Sequence, residues 1–61
     1  MTKNQRHDVD VAKQYIRAGM IDTAARIISA AIRSAMRSKD ALELRAIADE
    51  LNLTSHPDFI C

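Results

Sequence analysis

The single glycine of this chain of 61 residues, Gly19, lies between two stretches whose apolar residues recur at helical spacing. The first stretch contains Val11, Ala12, Tyr15 and Ile16, and the second contains Ile21, Ala24, Ala25, Ile28, Ala31, Ile32, Ala35 and Met36. Glycine reaches the left-handed backbone conformation at low cost, so it commonly follows the last turn of a helix. The pattern therefore predicts that one helix ends at Gly19 and that a second begins directly after it.

A third helix is predicted after the second. Asp40 and Glu43 have the spacing of a capping box, with Asp in place of Ser or Thr. The inward stripe of this helix is predicted to contain Leu44, Ile47, Ala48 and Leu51, with Leu42 and Leu53 widening it at the ends. We expect an all-α protein with helices at about 8–18, 21–38 and 40–51, built on an antiparallel helical hairpin that the third helix caps.

The remaining residues are assigned to the two ends of the chain. Residues 1–7 are polar and are predicted to be flexible, whereas residues 8–53 form the helical domain. Residues 54–61 are predicted to be a tail, in which Phe59 and Ile60 fold back onto the helices or reach another subunit.

Size and charge limit the possible functions. A domain this short buries only about 60% of its unfolded surface, which favours a homodimer. Cys61 is the only cysteine, and His7 and His56 lack the spacing of zinc ligands, so we expect no disulfide within the chain, no metal and no cofactor. The net charge of +1 gives no overall attraction to nucleic acid. The apolar runs are too short to span a membrane, and the first residues lack a signal-peptide pattern, so we expect a cytoplasmic protein.

Residues of the first two helices also follow a known repeat pattern. Tyr15, Gly19, Ile21, Ala24, Ile28, Ala31 and Ile32 follow the order aromatic, Gly, apolar, Ala, large apolar, Ala and apolar. From Val11 to Ile32 the chain resembles a single tetratricopeptide repeat, although Ala12 stands where that family often has Gly and Met36 replaces its closing Pro. The resemblance implies a helical hairpin with protein-binding faces. Apart from Gly19, these residues, with Ile47 and Leu51, are predicted to form the core or a self-association surface.

Three arginines are predicted on the polar side of the second helix. Arg26, Arg33 and Arg37 are separated by seven and four residues, which places them within about 40° of one another on a helix. Such a stripe binds phosphates or an acidic protein, or it is a solvated face on which Asp22 pairs with Arg26. Ile27 lies between the polar and apolar faces and is a candidate contact for a second chain or for the third helix.

Residues 44–55 resemble the first helix and turn of a DNA-binding helix-turn-helix, with Ala48 and Asn52 at its small-residue and turn positions. A recognition helix must follow that turn to enter the major groove. Few residues follow Asn52 in the sequence, and Pro57 is among them, so a capped terminal helix explains the same pattern.

No arrangement of a nucleophile, a base and an orienting group is evident in the sequence. We therefore expect a small non-enzymatic protein-interaction or regulatory module. The alternative is a small dimeric nucleic-acid-binding regulator that uses the arginine stripe. The whole chain also resembles the small accessory proteins of lambda-type temperate bacteriophages, which implies action on host proteins.

Overall fold

The computed structural model describes residues 1–60 and confirms an all-helical protein. Within that range there are three helices and no strands: α1 (Lys3–Arg17), α2 (Ile21–Ser34) and α3 (Ser38–Glu50). The main helix contacts are those of α2, which packs against both α1 and α3. The second helix is therefore the central element of the fold.

Helix α1 begins at Lys3, which corrects the predicted start at residue 8. Its N-cap is Thr2, whose hydroxyl oxygen accepts a hydrogen bond from the Gln5 N–H at 3.2 Å. In return, the Gln5 side-chain oxygen accepts from the Thr2 N–H at 2.8 Å. This is a complete capping box, and the Thr-x-x-Gln spacing is its sequence signature. Residues 3–7, which we expected to be flexible, thus belong to the first turns of a helix.

Helix α1 ends at the predicted glycine. Gly19 has a φ of +82°, in the left-handed region. The Met20 N–H donates to the Tyr15 carbonyl at 2.8 Å, and the Gly19 N–H donates to the Ile16 carbonyl at 3.0 Å. These two bonds form a Schellman motif, which satisfies carbonyls that the helix end would otherwise leave open.

Helix α3 ends in the same way, but with asparagine in place of glycine. Asn52 has a φ of +60° and donates its N–H to the Asp49 carbonyl at 3.0 Å. The Leu53 N–H donates to the Ala48 carbonyl at 2.8 Å. Asparagine is the other residue that commonly takes this position. The motif turns the chain so that Leu53 becomes fully buried.

The connection between α2 and α3 differs from the prediction. Helix α2 ends at Ser34 rather than at residue 38, and α3 begins at Ser38 rather than at residue 40. Ala35 and Arg37 have extended backbone, with ψ values of 125° and 134°, and Met36 between them is 98% exposed. Met36 is therefore outside the apolar face of α2 on which it was predicted. The capping box predicted at the start of α3 is also wrong, because Arg37 is the N-cap and makes no side-chain capping bond.

The core consists largely of alanine, which lets the helices approach closely. Its buried residues are Val9, Ala12, Ala24, Ala25, Ile28, Ala31, Leu44, Ala48 and Leu53. Residues after α3 fold back onto this core, because Leu53 is part of it and Phe59 packs against it. The predicted return of the tail thus occurs at Phe59, whereas Ile60 is 62% exposed.

The chain is compact without a partner. Its accessible surface is 4117 Å², close to the roughly 4,000 Å² that a folded monomer of this mass exposes. The radius of gyration is 10.2 Å, against about 10.5 Å for a compact domain of this length. Against the roughly 9,900 Å² that the unfolded chain would expose, about 60% of the surface is buried, as expected for this length, and the homodimer stays a prediction.

Candidate interaction surfaces

The three arginines do not form the predicted stripe. Arg26, on α2, lies 3.5 Å from the Asp58 carboxylate through its Nη2 atom, so its partner is in the tail and is not Asp22. Arg33 is exposed in the last turn of α2 and makes no ion pair within residues 1–60. Arg37 lies beyond the end of α2, at the N-cap of α3. The stripe required one continuous helix, and the break at residues 35–37 removes it.

The predicted core or self-association residues all lie in or against the core of a single chain. Ala24, Ile28 and Ala31 are buried, and Tyr15, Ile21, Ile32, Ile47 and Leu51 are half-buried against them. Ile27, predicted as a partner contact, is likewise half-buried and packs against the core. These side chains therefore support the fold of one molecule more than they offer a surface to another.

A cluster of charges joins the start of α1 to the start of α3. Asp40, in the first turn of α3, is only 2% exposed. Its Oδ2 atom accepts a hydrogen bond from Arg37 Nε at 3.2 Å. Its Oδ1 atom lies 3.2 Å from the α-amino nitrogen of Met1 and has no aligned hydrogen bond within residues 1–60. The Glu43 carboxylate is 3.7 Å from the same amine. The cluster thus places two cations against two carboxylates.

The surroundings of Asp40 set the direction of its pKa. Burial raises the pKa of the Asp40 carboxyl, but the Met1 amine and the Arg37 guanidinium lower it by a larger amount together. The pKa of Asp40 in the folded protein therefore lies below its ordinary value of 3.8. A depressed carboxyl pKa means that this group stabilises the fold above about pH 4 and loses that contribution as the pH falls through the folded-state pKa.

A cleft of about 510 Å³ lies beside this cluster, between the start of α1 and the α2–α3 connection. Asn4 and Asp8 contribute to it from α1, and Ser34 and Met36 contribute from the end of α2 and the connection. Met36 thus lines this cleft, to which Leu42, the exposed leucine of α3, does not contribute.

One side of α3 carries an exposed apolar residue between charges. Leu42, predicted to face inward, is 67% exposed and lines a shallow depression with Arg45, Ala46 and Asp49. We call these four residues the outer face of α3. Their spacing of three, four and seven residues places them on one side of a helix. The Arg45 guanidinium lies 5.9 Å from the centre of the Phe59 ring, which links this face to the tail.

The two histidines belong to different parts of the fold, His7 to α1 and His56 to the tail. His7 is exposed on α1, whereas His56 Nδ1 accepts a hydrogen bond from the Asp58 N–H at 3.1 Å. Across residues 1–60, no three His, Cys, Asp or Glu side chains are placed to hold a metal ion. Cys61, with the disulfide between subunits that it would allow, lies outside the described residues.

Two further features concern the helices. Residues 51–60 contain turns and no helix, so the part of the chain described here has no recognition helix after the turn at Asn52. None of the helices in that part has the length and apolar character needed to cross a membrane.

In comparisons with known protein families, curated proteins and solved structures, this chain matched none of them. The interpretation of the surfaces therefore rests on their own chemistry.

Proposed function

We propose that this protein is a small non-enzymatic interaction module that binds another protein through the outer face of α3. The observation that carries the proposal is the exposure of Leu42 on a regular helix, where apolar side chains normally face the core. Ile60 is exposed at the end of the tail, which packs beside this helix through Phe59. A partner that covers Leu42 would remove apolar surface from water.

The partner that fits this face best is a second copy of the chain. Arg45 and Asp49 are four residues apart on the outer face and carry opposite charges. In a two-fold symmetric dimer the same surface meets itself, so that Arg45 of one copy faces Asp49 of the other while the two Leu42 side chains pack together. A surface that carries both charges beside an apolar centre is complementary to itself. The dimer would also add buried apolar area to a chain whose own fold buries only about 60% of its unfolded surface.

The arrangement of α1 and α2 is part of the same proposal. We infer an antiparallel hairpin similar to a tetratricopeptide repeat, because only residues 18–20 separate two helices that contact each other. Ala24, Ile28 and Ala31 in that pattern are buried. The hairpin supplies the rigid support on which α3 is presented.

Nucleic-acid binding is the weaker alternative. Arg26 and Arg37 each lie next to a carboxylate, which leaves fewer cations for phosphates than the sequence suggested. The resemblance to phage accessory proteins instead extends the proposal to a cytoplasmic host protein as a further partner of the same face.

The test is the molar mass in solution, measured by light scattering over a concentration series with reductant present. We expect the wild-type chain to approach twice its mass of 6.8 kDa and Leu42→Glu to remain a monomer. Met36→Glu is the matched control, because it adds the same charge at an exposed apolar residue away from the outer face of α3. Far-ultraviolet circular dichroism verifies that both variants keep their helices.

Two other outcomes would each contradict a part of the proposal. A wild-type monomer at all concentrations would reject the homodimer and leave the outer face to a foreign partner. A dimer that Met36→Glu disrupts and Leu42→Glu does not would place the interface at the polar cleft and reject the proposed face.

A further inference from the structure

The two charged residues of the outer face of α3 do not pair with each other. Arg45 and Asp49 are four residues apart on one helix, a spacing at which opposite charges commonly interact. Within residues 1–60, however, neither side chain makes an ion pair. Both charges therefore remain available to another chain.

A residue of the tail contacts each of these two side chains. The Thr54 hydroxyl donates a hydrogen bond to Asp49 Oδ1 at 3.2 Å, and Thr54 also lines the depression that contains Leu42. The Arg45 guanidinium carbon lies 5.9 Å from the centre of the Phe59 ring, which is within the range of a cation–π contact. Both contacts come from uncharged groups, so they orient the charges without neutralising them.

Each contact leaves binding capacity on the charged group. A carboxylate accepts several hydrogen bonds, so Asp49 can accept more than the one from Thr54. The Arg45 guanidinium has several N–H donors, and an aromatic ring does not take them up as a carboxylate would. The two side chains are thus oriented and still able to bind.

The tail can orient these side chains because it is itself anchored to the fold. Leu53, directly before Thr54, is fully buried, and Phe59 packs against the core. Between them, the Asp58 carboxylate lies 3.5 Å from Arg26 Nη2 on α2. The segment 53–59 is therefore fixed at both of its ends.

We propose that Thr54 and Phe59 are positioning residues for dimerisation, which hold Asp49 and Arg45 in the orientation that the second copy of the chain binds. The inference rests on the proposed function, because the face and the partner are the same. Association costs the ordering of side chains at an interface, and this cost is smaller when they are ordered before binding. The tail thus strengthens the dimer through the charges of α3.

The experiment measures the dissociation constant of the dimer by sedimentation equilibrium, with reductant present. Thr54→Val keeps the shape of the side chain and removes the hydroxyl, whereas Phe59→Leu keeps an apolar group against the core and removes the ring. We expect each variant to raise the dissociation constant about threefold to tenfold, the effect of one side chain that must be ordered on binding. Thr54→Ser and Phe59→Tyr retain the hydroxyl and the ring, and should restore most of the affinity.

Thr23→Val is the matched control. It makes the same chemical change as Thr54→Val, but on α2 and at a residue that does not line the depression. Its dissociation constant should equal that of the wild type.

A second background separates positioning from general support of the fold. Asp49→Asn removes the charge that Thr54 positions, so Thr54→Val should have little further effect on the dissociation constant in that background. Phe59→Leu should likewise lose its effect in Arg45→Gln. Should Asp49→Asn abolish dimerisation, salt provides the comparison. Sodium chloride screens charge pairs, so the dissociation constant of Thr54→Val should respond less to added salt than that of the wild type.

The outcomes distinguish this inference from the proposed function. A wild-type monomer at all concentrations would reject the homodimer and this inference with it. A wild-type dimer that Leu42→Glu disrupts, but that Thr54→Val and Phe59→Leu leave equally tight, would reject the positioning role alone. That role is also overturned when Thr54→Val weakens the dimer equally with and without Asp49→Asn, or responds to salt as the wild type does.

Discussion

The two connections between helices in this protein are stabilised by different kinds of interaction. The α1–α2 connection is held by backbone hydrogen bonds around Gly19, all within a few residues of one another. The α2–α3 connection has no glycine, and extended backbone at Ala35 and Arg37 takes the chain out of α2. The charges beside it involve the Met1 amine, which is far away in the sequence. A connection made of local bonds is encoded locally, whereas one stabilised by distant charges depends on the finished fold.

The largest expected effect comes from overpacking next to the first connection. Ala24 lies in the first turn of α2 and has no exposed surface, so Ala24→Leu must push α2 away from its neighbours. We expect a loss of about 1 to 3 kcal/mol in the free energy of unfolding, measured by urea denaturation. Ala31→Leu should behave similarly, because Ala31 is only 3% exposed.

Ala30→Leu is the matched control, since Ala30 is on the same helix and is exposed. Its free energy of unfolding should stay within about 0.5 kcal/mol of the wild-type value. Equal losses in the buried and exposed variants would show that α2 does not pack as described.

The second prediction tests the backbone of the first connection. Gly19→Ala places a side chain at a φ of +82°, which should cost about 1 to 2 kcal/mol. Apart from Gly19 and its two chain neighbours, no residue has an atom within 4 Å of the added Cβ, so backbone strain is the expected cause and a clash is not. Gly19→Asn should cost less, because asparagine already takes this conformation at Asn52 in the same chain. Equal costs for alanine and asparagine in thermal unfolding would contradict this explanation.

The helix ends and core residues that could be predicted are those that depend only on residues near them in the sequence. Gly19 and Asn52 mark helix ends because their backbone preferences need no knowledge of the rest of the fold. The apolar spacing of α2 likewise identifies the residues of the core. The Thr-x-x-Gln spacing of Thr2 and Gln5 is also a local signal, and it marks the start of α1 at Lys3 rather than at the predicted residue 8.

The break between α2 and α3 could not be predicted in this way. Residues 35–37 include no glycine or proline, and the apolar spacing continues through Ala35 and Met36. The arginine stripe failed for the same reason, because it assumed a continuous helix through Arg37. The pairing of Arg26 with Asp58 and the exposure of Leu42 depend on how the tail and α3 pack, which helical spacing does not determine.

A third prediction sharpens the comparison by improving the end of α3. Asn52→Gly relieves the residual strain at a φ of +60°, but glycine also makes the unfolded chain more flexible. We expect a small net gain of about 0.5 kcal/mol in the free energy of unfolding, measured by urea denaturation. A loss larger than 1 kcal/mol would mean that the Asn52 side chain stabilises the fold through a contact in addition to its backbone.

The last prediction concerns the charge of Asp40 at the second connection. We expect this charge to change the pH dependence of stability in acid and to leave it unchanged near neutrality. The pKa of Asp40 is lowered in the folded chain, so the unfolded chain takes up a proton first as the solution becomes acidic. The difference in the free energy of unfolding between wild type and Asp40→Asn should therefore be constant from about pH 7 to pH 5 and should shrink below about pH 4. Other titrating groups are the same in both chains, so their effects largely cancel in this difference, which urea denaturation at each pH measures. A difference that stays constant into strong acid would show that Asp40 is not stabilised as an anion, and the second connection would then depend on local backbone bonds in the same way as the first.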